Sequence, residues 1–303
     1  MISGDVRSAD LLLDFLESHP RLTILTGAGC STESGIPDYR SPGGVWSRHK
    51  PILYSSFVRS AETRRFYWAR SFRGWPRFLE ARPNGAHRAL ARLEAGGRVE
   101  RLITQNVDRL HEEAGSRRVI QLHGENAFVI CLSCGERTAR AGVQERLAVL
   151  NAEWLETREL HQLRGDEADF APDGDAAVSA SVVDGFIVPE CLRCGGVLKP
   201  DVVFFGESVP AAVVEAGMEA VDRGDALLVA GSSLTVWSGF RFVKRAADRG
   251  LPIAIVNVGP TRGDDLAALK IEARVGELLP AVTDLLLERI EDAGETVAPR
   301  PLA

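Results

Sequence analysis

Four cysteines lie in two pairs whose spacing suits metal binding. Cys131 and Cys134 form one C-x-x-C pair, Cys191 and Cys194 form the second, and each pair is followed by glycine. This spacing lets two thiolates from one tight turn reach a single tetrahedral Zn²⁺, and two pairs complete a closed site of the structural kind. The segment between the pairs is longer than the roughly 15–20 residues of a plain zinc ribbon. Two disulfides, or two separate redox motifs, are the alternatives that these residues leave open.

A glycine-rich turn follows the first apolar run. Residues 21–26 are predicted to form a buried strand that leads into Gly27-Ala28-Gly29-Cys30-Ser31, where the backbone can approach a pyrophosphate. The G-x-G-x-x-G fingerprint fails because Thr32 replaces its third glycine, which disfavours an ordinary hydride-transfer dehydrogenase. Taken alone, the turn could equally be a tight strand-to-helix connection. The fifth cysteine, Cys30, is interpreted as a small residue that fills this turn; a reactive thiol is the alternative.

The elements that must position these residues alternate along the chain. Strands are predicted over 21–26, 99–104, 119–122, 226–230 and 252–258, and helices over 9–16, 86–94, 240–248 and 278–290. This alternation predicts an α/β fold with an open, parallel, Rossmann-like sheet. It stops between Cys131 and Cys194, where an inserted module is expected. Within that module, the acidic, turn-rich stretch 165–175 is predicted to be a solvated loop.

Composition and charge exclude several classes of protein. The 303 residues carry 36 Lys and Arg against 42 Asp and Glu, a net charge of −6 that argues against a dedicated nucleic-acid binder. The first residues lack the basic and apolar regions of a signal peptide. The longest uncharged stretch, 226–240, is shorter than the ~20 residues of a membrane span. We therefore expect a cytoplasmic protein with no membrane or nucleic-acid partner.

Six motifs run in order along the chain. They are TGAGCSTESGIPDYRS at 26–41, TQNVD at 104–108, LHG at 122–124, KPDVVFFGE at 199–207, GSSL at 231–234 and VNVG at 256–259. Together they resemble the sirtuins, NAD-dependent protein deacylases whose signature is GAG-x-S-x-x-SGIPD-[FY]-R, over roughly residues 10–286. The long spacer between the cysteine pairs, with YWAR at 67–70, resembles the class II, mitochondrial lipoamidase-type branch in a bacterial-like form. The resemblance favours one structural Zn²⁺ over the disulfide and redox alternatives.

The resemblance also implies a domain organisation. A Rossmann-like NAD-binding domain would comprise residues 1–40, 76–125 and 200–303. A small domain would combine a helical insertion at 41–75 with a zinc-binding module at 126–199. NAD would be a co-substrate bound in the cleft between the domains, at the carboxyl ends of the parallel strands.

Residue roles follow from the resemblance as expectations. His123 would be the base that removes the proton of the ribose 2′-hydroxyl, a task that suits an imidazole. Asn106 would orient the ribose and the attacking water, and Asp108 would bind the nicotinamide carboxamide. The further expected NAD contacts are Gly27, Ala28, Gly29, Ser34, Asp38, Tyr39, Arg40, Gln105, Val107, Gly231, Ser232, Ser233, Asn257, Val258, Gly259 and Val275.

The expected substrate is an acyl-lysine in a protein or peptide. Residues 199–207 resemble the segment that pairs with the substrate backbone, and the expected contacts there are Val202, Phe204, Gly206 and Glu207. Tyr67 and Arg70 are three apart on one helix face, the spacing seen in desuccinylating sirtuins. Because arginine pairs bidentately with carboxylates, they predict a preference for succinyl, glutaryl or methylglutaryl groups, with lipoyl as a further class II candidate. Alternatively, Arg70 pairs with a protein carboxylate or lies at the surface.

The expected reaction transfers the acyl group from lysine to ADP-ribose and releases nicotinamide. A protein mono-ADP-ribosyltransferase is one alternative, since it would use the same cleavage of NAD with a protein nucleophile. A non-catalytic NAD-sensing or zinc-ribbon interaction module is the alternative from another class. The protein is expected to act as a monomer.

Overall fold

The computed structural model describes residues 3–38, 51–157 and 183–293, which form two sheets and their covering helices. The strands are β1 Leu22–Thr26, β2 Val99–Thr104, β3 Val119–Gln121, β4 Gly124–Cys131, β5 Arg137–Ala139, β6 Leu198–Val202, β7 Ala226–Ala230, β8 Ile253–Val256 and β9 Leu269–Ile271. The helices are α1 Ser3–Ser18, α2 Tyr54–Arg59, α3 Ala61–Glu80, α4 Gly85–Ala95, α5 Leu110–Glu113, α6 Arg140–Leu150, α7 Ala152–Thr157, α8 Ala211–Arg223, α9 Trp237–Asp248 and α10 Val275–Asp292. Tyr39, Arg40 and the acidic stretch 165–175 lie outside the described residues.

The larger sheet has six parallel strands in the order β3-β2-β1-β7-β8-β9. Its central strands β1, β7 and β8 are buried along their whole length, as expected for strands covered on both faces. The predicted strands and their parallel arrangement are confirmed. The edge strand β9 was not predicted, because its three residues are too few to produce a periodic pattern.

Helices cover both faces of this sheet. On one face α1, α4 and α10 pack around a core that includes Leu12, Leu90 and Leu279. On the other face α8 and α9 pack around a second core that includes Val221 and Phe242. The structure therefore confirms the predicted α/β fold with a Rossmann-like sheet. Among the described residues, no helix combines the length and the apolar character that crossing a bilayer requires.

The smaller sheet is antiparallel, in the order β5-β4-β6, and packs with α2, α3, α6 and α7 around a third core. The strand β5 and the helix α6 lie where the sequence predicted little regular structure, and β4 ends at the start of that region. All three residues of β5 are exposed, so no alternation marks this strand. In α6 one of the three buried positions is a charged residue, Arg140, whose guanidinium lies 5.2 Å and 5.1 Å from the rings of Trp68 and Trp75. The domain boundaries drawn from the resemblance stay a prediction.

Helix α4 begins with a cap that also holds the glycine-rich turn. The Asn84 side chain accepts hydrogen bonds from the backbone N–H groups of Ala86 and His87, and His87 Nδ1 accepts one from the Asn84 backbone. Asn84 Nδ2 then donates to the carbonyl of Cys30 at 2.8 Å and to Ser34 Oγ at 3.0 Å. The Asn84 side chain thus satisfies backbone N–H groups at the start of α4 and also fixes the loop that follows β1.

Replacing Gly217 by alanine is expected to destabilise the fold. Gly217 lies in α8, and a Cβ there would be 2.5 Å from the Phe242 ring of α9, so the two helices would have to move apart. We expect the free energy of unfolding in urea titrations to fall by about 1–3 kcal/mol. Gly142 in α6 is the matched control, because nothing lies within 4 Å of its Cβ position. Equal losses for the two variants would contradict this packing.

Candidate active site

A cavity of about 1150 Å³ opens at the carboxyl ends of the parallel strands. It is lined by the turns that follow β1, β2, β7 and β8, by His123, by the segment after β6 and by Tyr67 of α3. Parallel strands end at one edge of a sheet, so residues far apart in sequence meet there. The cavity thus lies between the six-stranded sheet and the smaller antiparallel sheet with its helices.

The turns after β1 and β7 are in direct backbone contact. Gly29 N–H donates to the Gly231 carbonyl at 2.9 Å. A Cβ on Gly29 would lie 2.9 Å from that oxygen, and a Cβ on Gly231, which has φ of +66°, would lie 2.4 Å from Cys30 N. Both glycines are therefore required by the close approach of two backbones. The contact leaves a rim of main chain and small side chains suited to a pyrophosphate.

His123 projects into the cavity with its ring held at both nitrogens. Nδ1 lies 2.9 Å from the Gln105 carbonyl, and Nε2 lies 2.7 Å from Ser238 Oγ. Since a carbonyl can only accept, Nδ1 carries the proton and Nε2 accepts from the serine hydroxyl. Burial lowers the pKa of His123, the Gln105 hydrogen bond opposes this change, and the Arg241 guanidinium makes a smaller contribution that lowers the pKa. The imidazole is thus neutral near pH 7 and can take up a proton at Nε2.

A polar network joins the β1 turn to the β2 turn. Ser31 Oγ donates to Asp108 Oδ2 at 2.6 Å, and Asn106 Nδ2 donates to Ser31 Oγ at 3.0 Å and to the Gly27 carbonyl at 3.1 Å. Burial raises the pKa of Asp108, although hydrogen bonds from Ser31 and the backbone of Leu110 oppose this rise. The network fixes the Asn106 amide at the cavity wall while Asp108 lies behind it.

Two further histidines lie beneath this network. The rings of His87 and His111 are 4.7 Å apart, and His111 Nε2 is 2.9 Å from Thr26 Oγ1. Burial lowers the pKa of His87 to about 4 and places that of His111 well below its usual range. Both rings are therefore neutral near pH 7 and support the floor of the site. The neighbouring Cys30 is also buried, which raises the pKa of its thiol and disfavours the reactive form.

The segment after β6 is held by a buried ion pair. Lys199 Nζ lies 3.0 Å from Glu207 Oε2 and donates to the Val202 carbonyl, and its side chain is only 5% exposed. Glu207 Oε2 also accepts from the Phe204 N–H at 2.8 Å. The pair folds residues 202–207 back into a fixed turn. This turn presents Phe204 to the cavity, where its ring lies 5.1 Å from that of Tyr67.

The cavity brings together most of the residues that the sequence singled out. Those that line it are Gly27, Ala28, Gly29, Asp38, Tyr67, Gln105, Asn106, Val107, His123, Val202, Phe204, Gly206, Glu207, Gly231, Ser232, Ser233, Asn257, Val258 and Gly259. Ser34 and Asp108 are one layer back, bonded to Asn84 and Ser31. Sequence reasoning missed Ser238 and Arg241, which begin α9 beyond the last residue of the GSSL motif.

Two expected contacts lie away from the cavity. Val275 is packed in the core beneath the six-stranded sheet, because it begins the apolar face of α10, and its side chain does not line the cavity. Arg70 also does not line it. This side chain is 7% exposed, and its guanidinium lies 5.4 Å from the centre of the Phe66 ring. Of the Y-x-x-R pair, the structure therefore brings only Tyr67 to the cavity wall.

The four paired cysteines form a compact cluster between β4 and the start of β6. Their sulfurs all lie within 4.8 Å of one another, with 3.6 Å between Cys131 and Cys194 and 3.8 Å between Cys134 and Cys191. Tetrahedral zinc with Zn–S bonds of ~2.3 Å separates its sulfurs by ~3.8 Å. A disulfide would require about 2.05 Å. The Ser133 N–H donates to Cys131 Sγ at 3.4 Å, which favours a thiolate there.

Comparisons with known proteins match this arrangement. The Sir2 family profile matches residues 27–238. The chain belongs to the Sir2 family. It is 54% identical over 263 residues to NAD-dependent protein deacetylase 2 of Bradyrhizobium diazoefficiens, a match that covers 87% of this chain and 93% of the relative. It is 52% identical over 271 residues to the Homo sapiens NAD-dependent protein lipoamidase sirtuin-4, mitochondrial, covering 88% and 83%.

Solved structures agree with the sequence comparisons. A Sir2 complex described as Sir2-p53 peptide-NAD+ has a TM-score of 0.69 and 31% identity, and the match covers 94% of this chain and 98% of the other. A Sir2 homologue in complex with ADP-ribose has a TM-score of 0.72 and 30% identity, covering 93% and 98%. The resemblance read from the motifs is thereby confirmed, and with it the expectation of a sirtuin-type enzyme.

The buried histidines are expected to make the sirtuin lose stability in mild acid. An unfolded histidine titrates near 6.5, whereas His87 titrates at about 4 in the folded state, so between these values the unfolded chain binds more protons. The free energy of unfolding should therefore fall as the pH drops from 6.5 towards 4, by up to about 1.4 kcal/mol per pH unit from this group. In urea titrations His87→Gln should flatten this slope. Parallel slopes for wild type and His87→Gln would contradict the assignment.

Proposed function

We propose that the protein is an NAD-dependent protein-lysine deacylase that releases nicotinamide and transfers the acyl group from lysine to ADP-ribose. The observation that carries the proposal is a neutral His123, whose unprotonated Nε2 accepts from the Ser238 hydroxyl, in a cavity that also contains the paired glycine turns and the segment after β6. A dinucleotide and an acylated side chain both have room in this volume. The deacetylase and lipoamidase names of the relatives support the same reaction class.

Three parts of the cavity would receive NAD. The backbone of Gly27 to Gly29, with Ser232 and Ser233 opposite, would bind the diphosphate through N–H and hydroxyl groups. Asn257 lies at the end of β8, where the adenosine would bind. The nicotinamide ribose would lie beside Asn106 and His123, above the buried Ser31–Asp108 pair. NAD supplies an electrophilic ribose carbon and a leaving group, and the protein residues hold the reacting atoms.

The acyl-lysine would enter between the segment after β6 and the aromatic residues of the small domain. Phe204, Tyr67 and Phe57 form an aromatic wall, with ring centroids 5.0–5.5 Å apart, that excludes water from an acyl chain. His123 Nε2 would take the proton of the ribose 2′-hydroxyl, and the Gln105 carbonyl would stabilise the imidazolium through Nδ1–H. Asn106, fixed by Ser31 and Gly27, would orient the ribose hydroxyls and the water that completes the reaction.

We further propose that acidic or long acyl groups are preferred over acetyl. Tyr67 at the cavity wall and the lipoamidase relative support this preference. Arg70 does not support it, because its side chain lies behind the wall. Protein mono-ADP-ribosylation is the second candidate, since it uses the same cleavage of NAD. Incubation with labelled NAD separates the two, because label retained on protein indicates transfer and label in O-acyl-ADP-ribose indicates deacylation.

His123→Ala is expected to abolish turnover while leaving NAD binding nearly intact. Loss of a general base costs roughly 10²–10⁴-fold, so kcat on an acyl-lysine peptide should fall by at least 10²-fold. The Kd for NAD, measured by calorimetry, should change by less than about threefold, because His123 adds no charge to the diphosphate site. His19→Ala is the control and should keep full activity, because His19 directly follows α1, away from the cavity. A His123→Ala enzyme with more than a tenth of wild-type kcat would rule out this role.

We propose one structural Zn²⁺ bound by Cys131, Cys134, Cys191 and Cys194. The sulfur separations support a closed tetrahedral site, and bound zinc would crosslink the turn after β4 to the turn before β6. No position would remain open for a water or substrate, so the metal would take no part in the deacylation chemistry. Its effect on activity would come through the small domain that carries the aromatic wall.

Zinc content is expected to be one per chain and to depend on the cluster. Denaturation in the presence of a chromogenic chelator should release one equivalent from the wild type, while Cys134→Ser should release much less and unfold at lower temperature, because the ion contributes folding energy. Cys30→Ala should retain a full equivalent, since Cys30 lies outside the cluster. Full zinc content in Cys134→Ser would disprove the four-thiolate assignment.

A further inference from the structure

Arg241 is an arginine that the active-site chemistry leaves unused. Among the residues that the structure describes, it is the sole lysine or arginine lining the cavity. Its Nε atom is buried and has no hydrogen-bond partner among the described residues. A buried donor without a partner is costly, and a guanidinium binds carboxylates through parallel N–H groups in a fixed fork. The guanidinium is therefore the described cationic group at the cavity wall with which an anionic ligand would pair.

The position of Arg241 on α9 directs it to the His123 side of the cavity. Residues 238, 241 and 245 lie on one helical face. At one end of this face Ser238 Oγ bonds to His123, and at the other end Arg245 pairs with Asp222 at 2.6 Å. The adjoining face carries Trp237 and Phe240, on which the Arg262 guanidinium rests. Arg241 lies one turn beyond Ser238, close enough for its charge to lower the pKa of His123.

The described carboxylates of the cavity do not neutralise Arg241. Three described carboxylates line the same cavity: Asp38, Glu207 and Glu272. Glu207 already accepts from Lys199 and from the Phe204 backbone. No ion pair joins Arg241 to any of the three among the described residues. The counter-ion of Arg241 is thus expected to arrive with a ligand.

We propose that Arg241 binds the carboxylate of an acidic acyl group on the substrate lysine. The inference rests on the proposed deacylase function and names the residue that would select the acyl group. In the proposed reaction the acyl carbonyl would lie beside His123, and the carboxylate of a succinyl or glutaryl group, a few atoms further on, would reach Arg241. The glycine turns, which also line the cavity, would bind the NAD diphosphate.

The test compares matched acyl groups on one peptide sequence. Wild type, Arg241→Gln and Arg241→Lys are assayed with succinyl-, glutaryl-, butyryl- and pentanoyl-lysine. Hydrogen bonds to a charged group support a loss of roughly 10–100-fold in kcat/KM on the two acidic groups for Arg241→Gln. The loss on the two neutral groups should stay within about twofold, and Arg241→Lys should recover part of the acidic activity because it retains the charge. Lys244→Gln removes an exposed charge from the next turn of α9 and should match wild type on all four peptides.

Three results would overturn the inference. Equal losses on acidic and neutral acyl groups would show that Arg241 acts on the reaction and not on the carboxylate. If Arg241→Gln raises the KM for NAD with every peptide, Arg241 contacts the dinucleotide and not the acyl group. If the wild-type kcat/KM is no higher on the two acidic acyl groups than on the two neutral ones, the acyl carboxylate has no cationic partner in this site.

Failure of the deacylase function itself is distinguishable from these results. In that case no peptide is turned over, and calorimetric binding of the succinyl and butyryl peptides replaces kcat/KM as the readout. The inference then requires that Arg241→Gln weaken succinyl-peptide binding alone, and equal binding by wild type and variant would overturn it. Thermal unfolding of each variant verifies that it is folded, and Arg241→Met, which also removes the charge, replaces Arg241→Gln if that variant is not folded.

Discussion

The contact between the β1 turn and the β7 turn is the constraint on which the site depends. Adjacent parallel strands, paired from Leu22 with Ala226 to Thr26 with Ala230, bring their carboxyl ends to the same level. The two chains then touch at Gly29 and Gly231, where neither residue has room for a Cβ. Because the main chains are this close, the cavity above them is lined by backbone N–H groups and short side chains. A larger residue at either position would push the turns apart and change the rim that faces the ligand.

Polar groups buried below this rim set the electrostatics of the site. Ser31, Asp108 and Asn106 are connected by hydrogen bonds, and neutral His87 and His111 fill the space beneath them. Burial keeps these imidazoles uncharged and disfavours the charged form of Asp108. The two imidazoles therefore add no charge to the floor, and both oxygens of Asp108 accept hydrogen bonds, from Ser31 and from the Leu110 backbone. His123 and Arg241 both line the cavity wall, and the Arg241 charge is close enough to lower the pKa of His123.

The sequence predicts the motif-borne parts of the fold and site well. The long apolar runs of β1, β7 and β8 and the glycine turn produce local signals, and they were located within one or two residues. The sequence does not locate short or polar elements. The strand β5 is wholly exposed, and α6 buries the charged Arg140 among aromatic rings. Side-chain direction is the other limit. Tyr67 and Arg70 share a helix face in the sequence pattern, yet one reaches the cavity and the other does not. No sequence motif includes Arg241, because only the packing of α9 brings this residue beside His123.

Coupling between nicotinamide release and acyl transfer tests the account most directly. In a single incubation with NAD and a succinyl-lysine peptide, nicotinamide and O-acyl-ADP-ribose are quantified by mass spectrometry over time. The account predicts one nicotinamide per O-succinyl-ADP-ribose and per free lysine, with almost no nicotinamide when the unacylated peptide is supplied. Release of nicotinamide at the same rate with both peptides, or deacylation without O-acyl-ADP-ribose, would contradict it.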